Sequence, residues 1–97
     1  MKSISKALIS LGNQCALIPF ITAGDPDLYS TEQVLRILDR EGADIIEIGV
    51  PYSDPLADGP IIQEASRKAL ASGVTIDKIL QLVADISSDL RAPLILF

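Results

Sequence analysis

Two carboxylates, one in an apolar run where an acidic side chain is costly and one in the loop that follows, could together perform proton transfer. Glu47 stands near the end of the apolar run DIIEIGV, and Asp58 lies in the proline-rich loop that follows it. A buried, ionised carboxylate without a partner is strongly unfavourable, so it is tolerated mainly where it is needed. A strand carboxylate beside a loop carboxylate is an arrangement that general acid–base catalysis uses.

Each carboxylate also has a purely structural interpretation. Glu47 could form an ion pair with an Arg or Lys elsewhere in the chain. Asp58 precedes Gly59 and a predicted helix start, so it could serve as a turn or N-cap residue. The residue pattern alone leaves both interpretations open.

The predicted elements place Glu47 where ligands bind. Strands are predicted over residues 15–23, 44–50 and 92–97, and helices near the N-terminus and over 29–42, 60–72 and 75–90. This alternation predicts a parallel sheet with right-handed crossovers. The period of two places Ile46 and Ile48 towards the helices and Glu47 on the opposite face. In parallel α/β folds, ligands bind at the carboxyl ends of the strands.

Local signals fix the predicted helix ends. Ser30 with Gln33 has capping-box spacing, Pro60 suits a first helical position, and Thr75 is a predicted N-cap. Gly42 and Gly73 are predicted to end their helices. The predicted inner side of the helix over 60–72 comprises Ile61, Ile62, Ala65, Ala69 and Leu70.

Composition narrows the class of protein. The 97 residues are 48% hydrophobic and 22% charged, which is typical of a soluble globular protein. The net charge of −5 and the scattered basic residues argue against nucleic acid as a partner. No apolar run approaches the ~18 residues that a membrane helix needs. The single Cys15 fits a reducing compartment, and the lack of His argues against a zinc site.

The last predicted strand ends at Phe97 with no helix after it. A three-stranded parallel sheet has two open edges, which natural domains normally cover. We therefore expect these residues to be the opening part of a larger domain. The alternative is a small α/β domain with an edge strand at its terminus.

Two stretches, LIPFITAGDPD and IIEIGVPYSDPLADGPIIQEA, are similar to the N-terminal part of the tryptophan synthase α-subunit family. The resemblance runs over essentially the whole chain, including ASGVT between two predicted helices. It implies an α/β fold in which residues 1–97 form the first three βα units of a TIM (β/α)8 barrel. They would be the N-terminal part of a single barrel domain of about 250 residues.

The resemblance also implies a lyase reaction of tryptophan biosynthesis, the retro-aldol cleavage of indole-3-glycerol phosphate to indole and glyceraldehyde 3-phosphate. Glu47 matches the family's catalytic strand glutamate, which would transfer a proton to indole C3 and help to remove the glycerol hydroxyl proton. Asp58 matches the catalytic loop aspartate, which would hydrogen-bond the indole N–H and stabilise the positively charged indolenine tautomer. Phe20 and Thr22 match positions close to the indole ring.

The implied partner is the tryptophan synthase β subunit in an α2β2 tetramer, contacted through the loop that carries Asp54 and Pro55. No cofactor or metal is implied for this chain, because pyridoxal phosphate belongs to the β subunit. The implied compartment is the cytoplasm, or the plastid stroma for a plastid-encoded copy. The family's phosphate-binding residues follow later strands, so we expect the 97-residue piece alone to be inactive. The alternatives are a truncated, non-catalytic fragment that only contacts the β subunit, and an unrelated barrel aldolase or isomerase.

Overall fold

Three parallel strands with helices between them make up the computed structural model, which describes residues 3–54 and 56–97. The elements in chain order are α1 Ile4–Ser10, β1 Phe20–Thr22, α2 Leu28–Arg40, β2 Ile46–Gly49, α3 Pro60–Ala71, α4 Ile76–Ile86, a 3-10 turn Ser87–Asp89 and β3 Leu94–Leu96. The sheet order is β1-β2-β3, with all pairs parallel. The predicted alternation of strands and helices is confirmed.

The first strand is shorter than the predicted range of 15–23, because Pro19 has no N–H to donate. The segment before it still follows β2. Its Leu17 carbonyl accepts a hydrogen bond from the Asp44 N–H at 2.9 Å, and the Leu17 N–H donates to the Asp44 carboxylate at 2.7 Å. These two hydrogen bonds hold together the segments that precede β1 and β2.

The two faces of β2 have the predicted environments. Ile46 and Ile48 are fully buried in a core with Leu35 of α2 and Ile79 of α4. Glu47 lies on the other face and is half-buried. It is directly opposite Phe20 of β1 and Ile95 of β3.

Helix α2 begins earlier than predicted, with a different cap. Asp27, not Ser30, is the N-cap, since its carboxylate accepts the Ser30 N–H at 2.7 Å. This hydrogen bond lowers the pKa of Asp27 below its ordinary value. The predicted end is confirmed, because Gly42 has a φ of 102° and its N–H bonds to the Asp39 carbonyl.

The predicted starts of α3 and α4 are confirmed: Pro60 is the first residue of α3, and Thr75 is the N-cap of α4. The predicted inner side of α3 is partly wrong, because Ile61 is 83% exposed and Leu70 is also exposed. The side that packs inward has helical spacing and comprises Ile62, Ala65, Ser66 and Ala69.

The predicted N-terminal helix forms as α1, but none of its residues is buried in the described part of the chain. No helix between residues 3 and 54 or between 56 and 97 has the length and apolarity to cross a membrane.

Candidate functional site

A small cleft lies at the carboxyl end of β1 and β2. Its volume is about 20 Å³, which is room for roughly one water molecule. Three of the residues singled out by sequence, Phe20, Thr22 and Asp58, meet in it. The full lining is Phe20, Thr22, Gly49, Val50, Tyr52, Asp58, Ile62, Ser66 and Phe97.

Gly49 lets the aromatic ring of Phe20 lie across the end of β2. A Cβ atom at position 49 would be 2.5 Å from Cζ of Phe20 and 3.4 Å from the Ile21 carbonyl oxygen. Any side chain at this position would therefore displace the ring. Thr22 is the residue of β1 that pairs with Gly49.

Glu47 lies on the same sheet face as the cleft, two residues before Gly49, but does not line the cleft itself. Its position at the carboxyl end of β2, away from the helix-covered core, is the predicted one. The alternative of a structural ion pair is not seen between residues 3–54 and 56–97, where the ion pairs involve Glu32, Glu41, Glu64 and Asp89.

Asp58 is half-buried, and its side chain does not cap the following helix. The N-cap of α3 is Gly59, and no side-chain hydrogen bond caps this helix. The part of Asp58 that supports α3 is its backbone carbonyl, which accepts a hydrogen bond from the Gln63 amide at 2.7 Å. The capping interpretation is therefore wrong for the carboxylate, and Asp58 is one of the residues that line the cleft.

The loop from residue 50 to residue 59 exposes most of its described side chains. Asp54, a predicted partner contact, is exposed, and its carbonyl accepts the Leu56 N–H at 2.9 Å. Pro55, the other predicted contact, lies outside the described residues. Leu56, two residues after Asp54, and Ile61, in the first turn of α3, are large apolar side chains that are exposed. This combination is typical of a surface that contacts another protein.

The loop after β1 is fixed by three residues that the sequence did not single out. The Gly24 N–H donates to the Thr31 hydroxyl at 2.9 Å, and the Ser72 hydroxyl shares its proton between the Ala69 carbonyl at 2.7 Å and the Gly24 carbonyl at 3.1 Å. Val74 packs against the Cα of Gly24, where a Cβ would be 2.8 Å from the Val74 Cβ. These contacts hold the backbone directly after Thr22.

Tyr52 and Ser66 also line the cleft, although sequence reasoning did not select them. Ser66 had a signal that could have been used, since it lies four residues after Ile62 and three before Ala69 on one helix face. A polar residue at such an inward position indicates either a local hydrogen bond or a ligand. Among the described residues, no group of three His, Cys, Asp or Glu side chains is placed to hold a metal ion.

Comparisons with known proteins find the same family repeatedly. The family model described as "Tryptophan synthase alpha chain" matches residues 7–97. The tryptophan synthase alpha chain of Pyropia yezoensis is 61% identical over 97 residues, which is all of this chain and 37% of that protein. The alpha chain of a Picosynechococcus species is 61% identical over 99 residues, covering all of this chain and 38% of that protein.

Solved structures give the same result. Tryptophan synthase subunit alpha from Legionella pneumophila superposes with a TM-score of 0.91 at 40% identity, covering 99% of this chain and 38% of that chain. Tryptophan synthase from M. tuberculosis, in an aminoacrylate-bound form, gives 0.88 at 36% identity over 96% of this chain and 38% of that one. This chain therefore spans well under half the length of the relatives that it matches.

Proposed function

Because the chain belongs to the tryptophan synthase alpha chain family, we propose that it supplies the N-terminal active-site residues of an enzyme that cleaves indole-3-glycerol phosphate to indole and glyceraldehyde 3-phosphate. The fold class predicted from sequence is confirmed, since the chain has the first strands and helices of a TIM (β/α)8 barrel. We propose that residues 1–97 form the N-terminal part of a single barrel domain.

The observation that carries the proposal is the meeting of Phe20, Thr22 and Asp58 in one cleft at the carboxyl end of the strands. Glu47 lies on the same sheet face, directly opposite Phe20. Barrel enzymes place their reacting groups at this end of the strands. An aromatic ring, a hydroxyl and two carboxylates are suited to an indole substrate, which offers a flat apolar ring and one N–H donor.

The proposed reaction needs proton transfers at two places. Glu47 gives a proton to indole C3, which converts the ring to the indolenine tautomer with a positively charged nitrogen. Asp58 accepts a hydrogen bond from this N–H and stabilises the positive charge. Cleavage of the carbon–carbon bond then returns its electron pair to the ring, while the glycerol hydroxyl loses its proton to Glu47 and becomes the aldehyde. Indole leaves with the proton that Glu47 first delivered.

The proposed function also implies a partner subunit and the place where a cofactor acts. Tryptophan synthase from Pyrococcus furiosus has been solved as a complex and superposes with a TM-score of 0.78 at 43% identity over 84% of this chain. We propose a β-subunit partner in an α2β2 tetramer, contacted through the exposed loop with Asp54. The proton transfers above use side chains of this chain, and we expect pyridoxal phosphate to act in the β subunit. We expect the substrate phosphate to be bound by residues after later strands.

The proposed compartment is the cytoplasm, or the plastid stroma for a plastid-encoded copy. Cys15 is exposed and forms no disulfide, which suits a reducing compartment.

Glu47→Gln in the full-length protein tests the proposed function. We expect indole formation from indole-3-glycerol phosphate to fall by at least about 100-fold, because the amide cannot donate and accept the proton. The melting temperature should change little, since Glu47 is only half-buried. Glu41→Gln is the matched control, because Glu41 is exposed at the end of α2. Turnover of the Glu47 variant within about tenfold of wild type would exclude Glu47 as the acid–base group.

A further inference from the structure

The ring of Phe20 extends past the residue with which Phe20 pairs. Phe20 pairs with Glu47, but its Cζ and Cε2 atoms lie 2.5 Å and 3.0 Å from the position that a Cβ of Gly49 would take. Gly49 is the next residue along β2 on the same face of the sheet. Aromatic side chains are long enough to reach such diagonal neighbours. The ring therefore extends from the strand position of Glu47 towards the carboxyl end of β2, where Phe20 and Asp58 line the cleft.

Glycine at position 49 makes room for this ring. The described glycines with a positive φ, the conformation that favours glycine, are Gly12, Gly24, Gly42 and Gly73. Gly49 is not among them, so its backbone would accept alanine without strain. After the two ring atoms, the nearest atom to a Cβ at position 49 is the Ile21 carbonyl oxygen at 3.4 Å, which is an ordinary contact. Because glycine weakens a strand, the room that it leaves for the ring is the gain that offsets this cost.

We propose that Gly49 is a positioning residue that acts through Phe20. By leaving out a side chain, it holds the ring along β2 as the flat apolar surface on which the indole of the substrate packs. The binding energy of two aromatic rings depends on their relative position, so a ring moved off Gly49 loses contact with an indole held between Glu47 and Asp58. This inference rests on the proposed function for its ligand, whereas the contact between the ring and Gly49 belongs to the protein alone.

Packing of the sheet is the other purpose that this contact could serve, and the two purposes make different predictions. A leucine at position 20 lacks the Cε and Cζ atoms that meet position 49, so leucine at 20 with alanine at 49 fits where phenylalanine and glycine fit now. This exchange restores the packing without restoring a ring. If the ring binds indole, the exchange therefore restores stability and leaves indole binding weak.

Gly49→Ala, Phe20→Leu and the double variant, all in the full-length protein, test the inference. We expect each single substitution to raise the KM for indole-3-glycerol phosphate and the Kd of indole alone about fivefold, with kcat within about twofold of wild type. Gly49→Ala should also lower the melting temperature by several degrees, because the Cβ overpacks against the ring. The double variant should melt within about 2 °C of Phe20→Leu and bind indole within about twofold of it. Tyr29→Leu is the matched control, because it removes a ring that is 74% exposed and should leave KM and Kd unchanged.

Independent action of the two residues would give a different result from the double variant. An indole Kd that is raised about 25-fold, the product of the two single effects, would show that Gly49 does not act through the ring and would overturn the inference. Wild-type indole affinity in Gly49→Ala or in the double variant would overturn it as well, because the contact would then serve packing alone. If Gly49→Ala alone does not fold, the comparison of the double variant with Phe20→Leu decides by the same limits. Wild-type protein that binds indole with this dependence on the ring but does not cleave indole-3-glycerol phosphate would refute the proposed function and support the role of Gly49.

Discussion

Two loops leave the carboxyl ends of neighbouring strands, and they are held in different ways. The loop over residues 23–27 is fixed through Gly24, whose N–H and carbonyl both bond to side-chain hydroxyls of other segments. The loop over residues 50–59 exposes most of its described side chains. It is joined to α3 by the bond from Gln63 to the Asp58 carbonyl.

This difference separates stability from function along one edge of the sheet. The backbone polar groups of Gly24 in the first loop form hydrogen bonds within the protein, and these bonds fix the backbone that follows Thr22. The second loop carries Asp58, whose carboxylate has no capping role. Groups kept for chemistry commonly add nothing to stability. We therefore expect substitutions in the first loop to change stability most and substitutions of Asp58 to change turnover most.

Asp58→Asn should give the largest functional effect of the comparison. The amide still occupies the cleft but cannot stabilise a positively charged indolenine, so we expect turnover to fall about 100-fold or more. The free energy of unfolding should change by less than about 0.5 kcal/mol, because Asp58 does not cap α3. Steady-state indole formation and urea denaturation of the full-length protein measure the two quantities.

Asp54→Asn is the control for that experiment, because Asp54 is an exposed carboxylate of the same loop. It should leave turnover of the isolated full-length α chain within about twofold. Equal activity of the Asp58 and Asp54 variants would remove the distinction between the cleft carboxylate and its surface neighbour.

Gly24→Ala should give the largest loss of stability. Gly24 has a φ of 90°, and a Cβ there would be 2.8 Å from the Val74 Cβ. Unfavourable backbone conformation and overpacking together should cost about 2–4 kcal/mol. The expected result is a clear fall in the urea midpoint of the full-length protein.

The matched control lies in the other loop. Gly59 has a φ of −74°, and a Cβ would meet nothing within 4 Å. Gly59→Ala should change stability by less than about 1 kcal/mol, because a weaker N-cap opposes the lower entropy of the unfolded chain. If both alanines cost the same, the first loop would not be the more tightly held of the two.

The sequence predicted the sheet well because β2 lies in a short, near-continuous apolar run that Glu47 alone interrupts with a charge. Burial of Ile46 and Ile48 fixes the register, and Glu47 must then lie on the other face. The site was less accessible to such reasoning. Residue pattern alone left Asp58 as a turn or cap residue, and only the family resemblance gave it a chemical role.

The errors arose where neighbouring residues carry the same local signal. Asp27 and Ser30 are both good N-caps, and the choice depends on where the chain leaves its extended conformation. Ile61 and Ile62 are equally apolar, so the packing of α3 against β1 decides which of them turns inward. Ser66 was passed over because its inward position follows from that same rotation of the helix.

The pH dependence of stability provides the smallest test of the comparison. The hydrogen bonds from Ser30 lower the pKa of Asp27 from its ordinary value of 3.8. The unfolded state therefore takes up its proton first as the pH falls, so the stabilisation is complete above the unfolded pKa and is lost as the pH falls through the folded pKa. Asp27→Asn cannot lose this contribution, so the melting temperatures of the wild-type and variant full-length proteins should differ by a constant amount above about pH 5 and change relative to each other only below about pH 4. A curve for Asp27→Asn that stays parallel to wild type over the whole pH range would show that its cap does not hold the first loop in place.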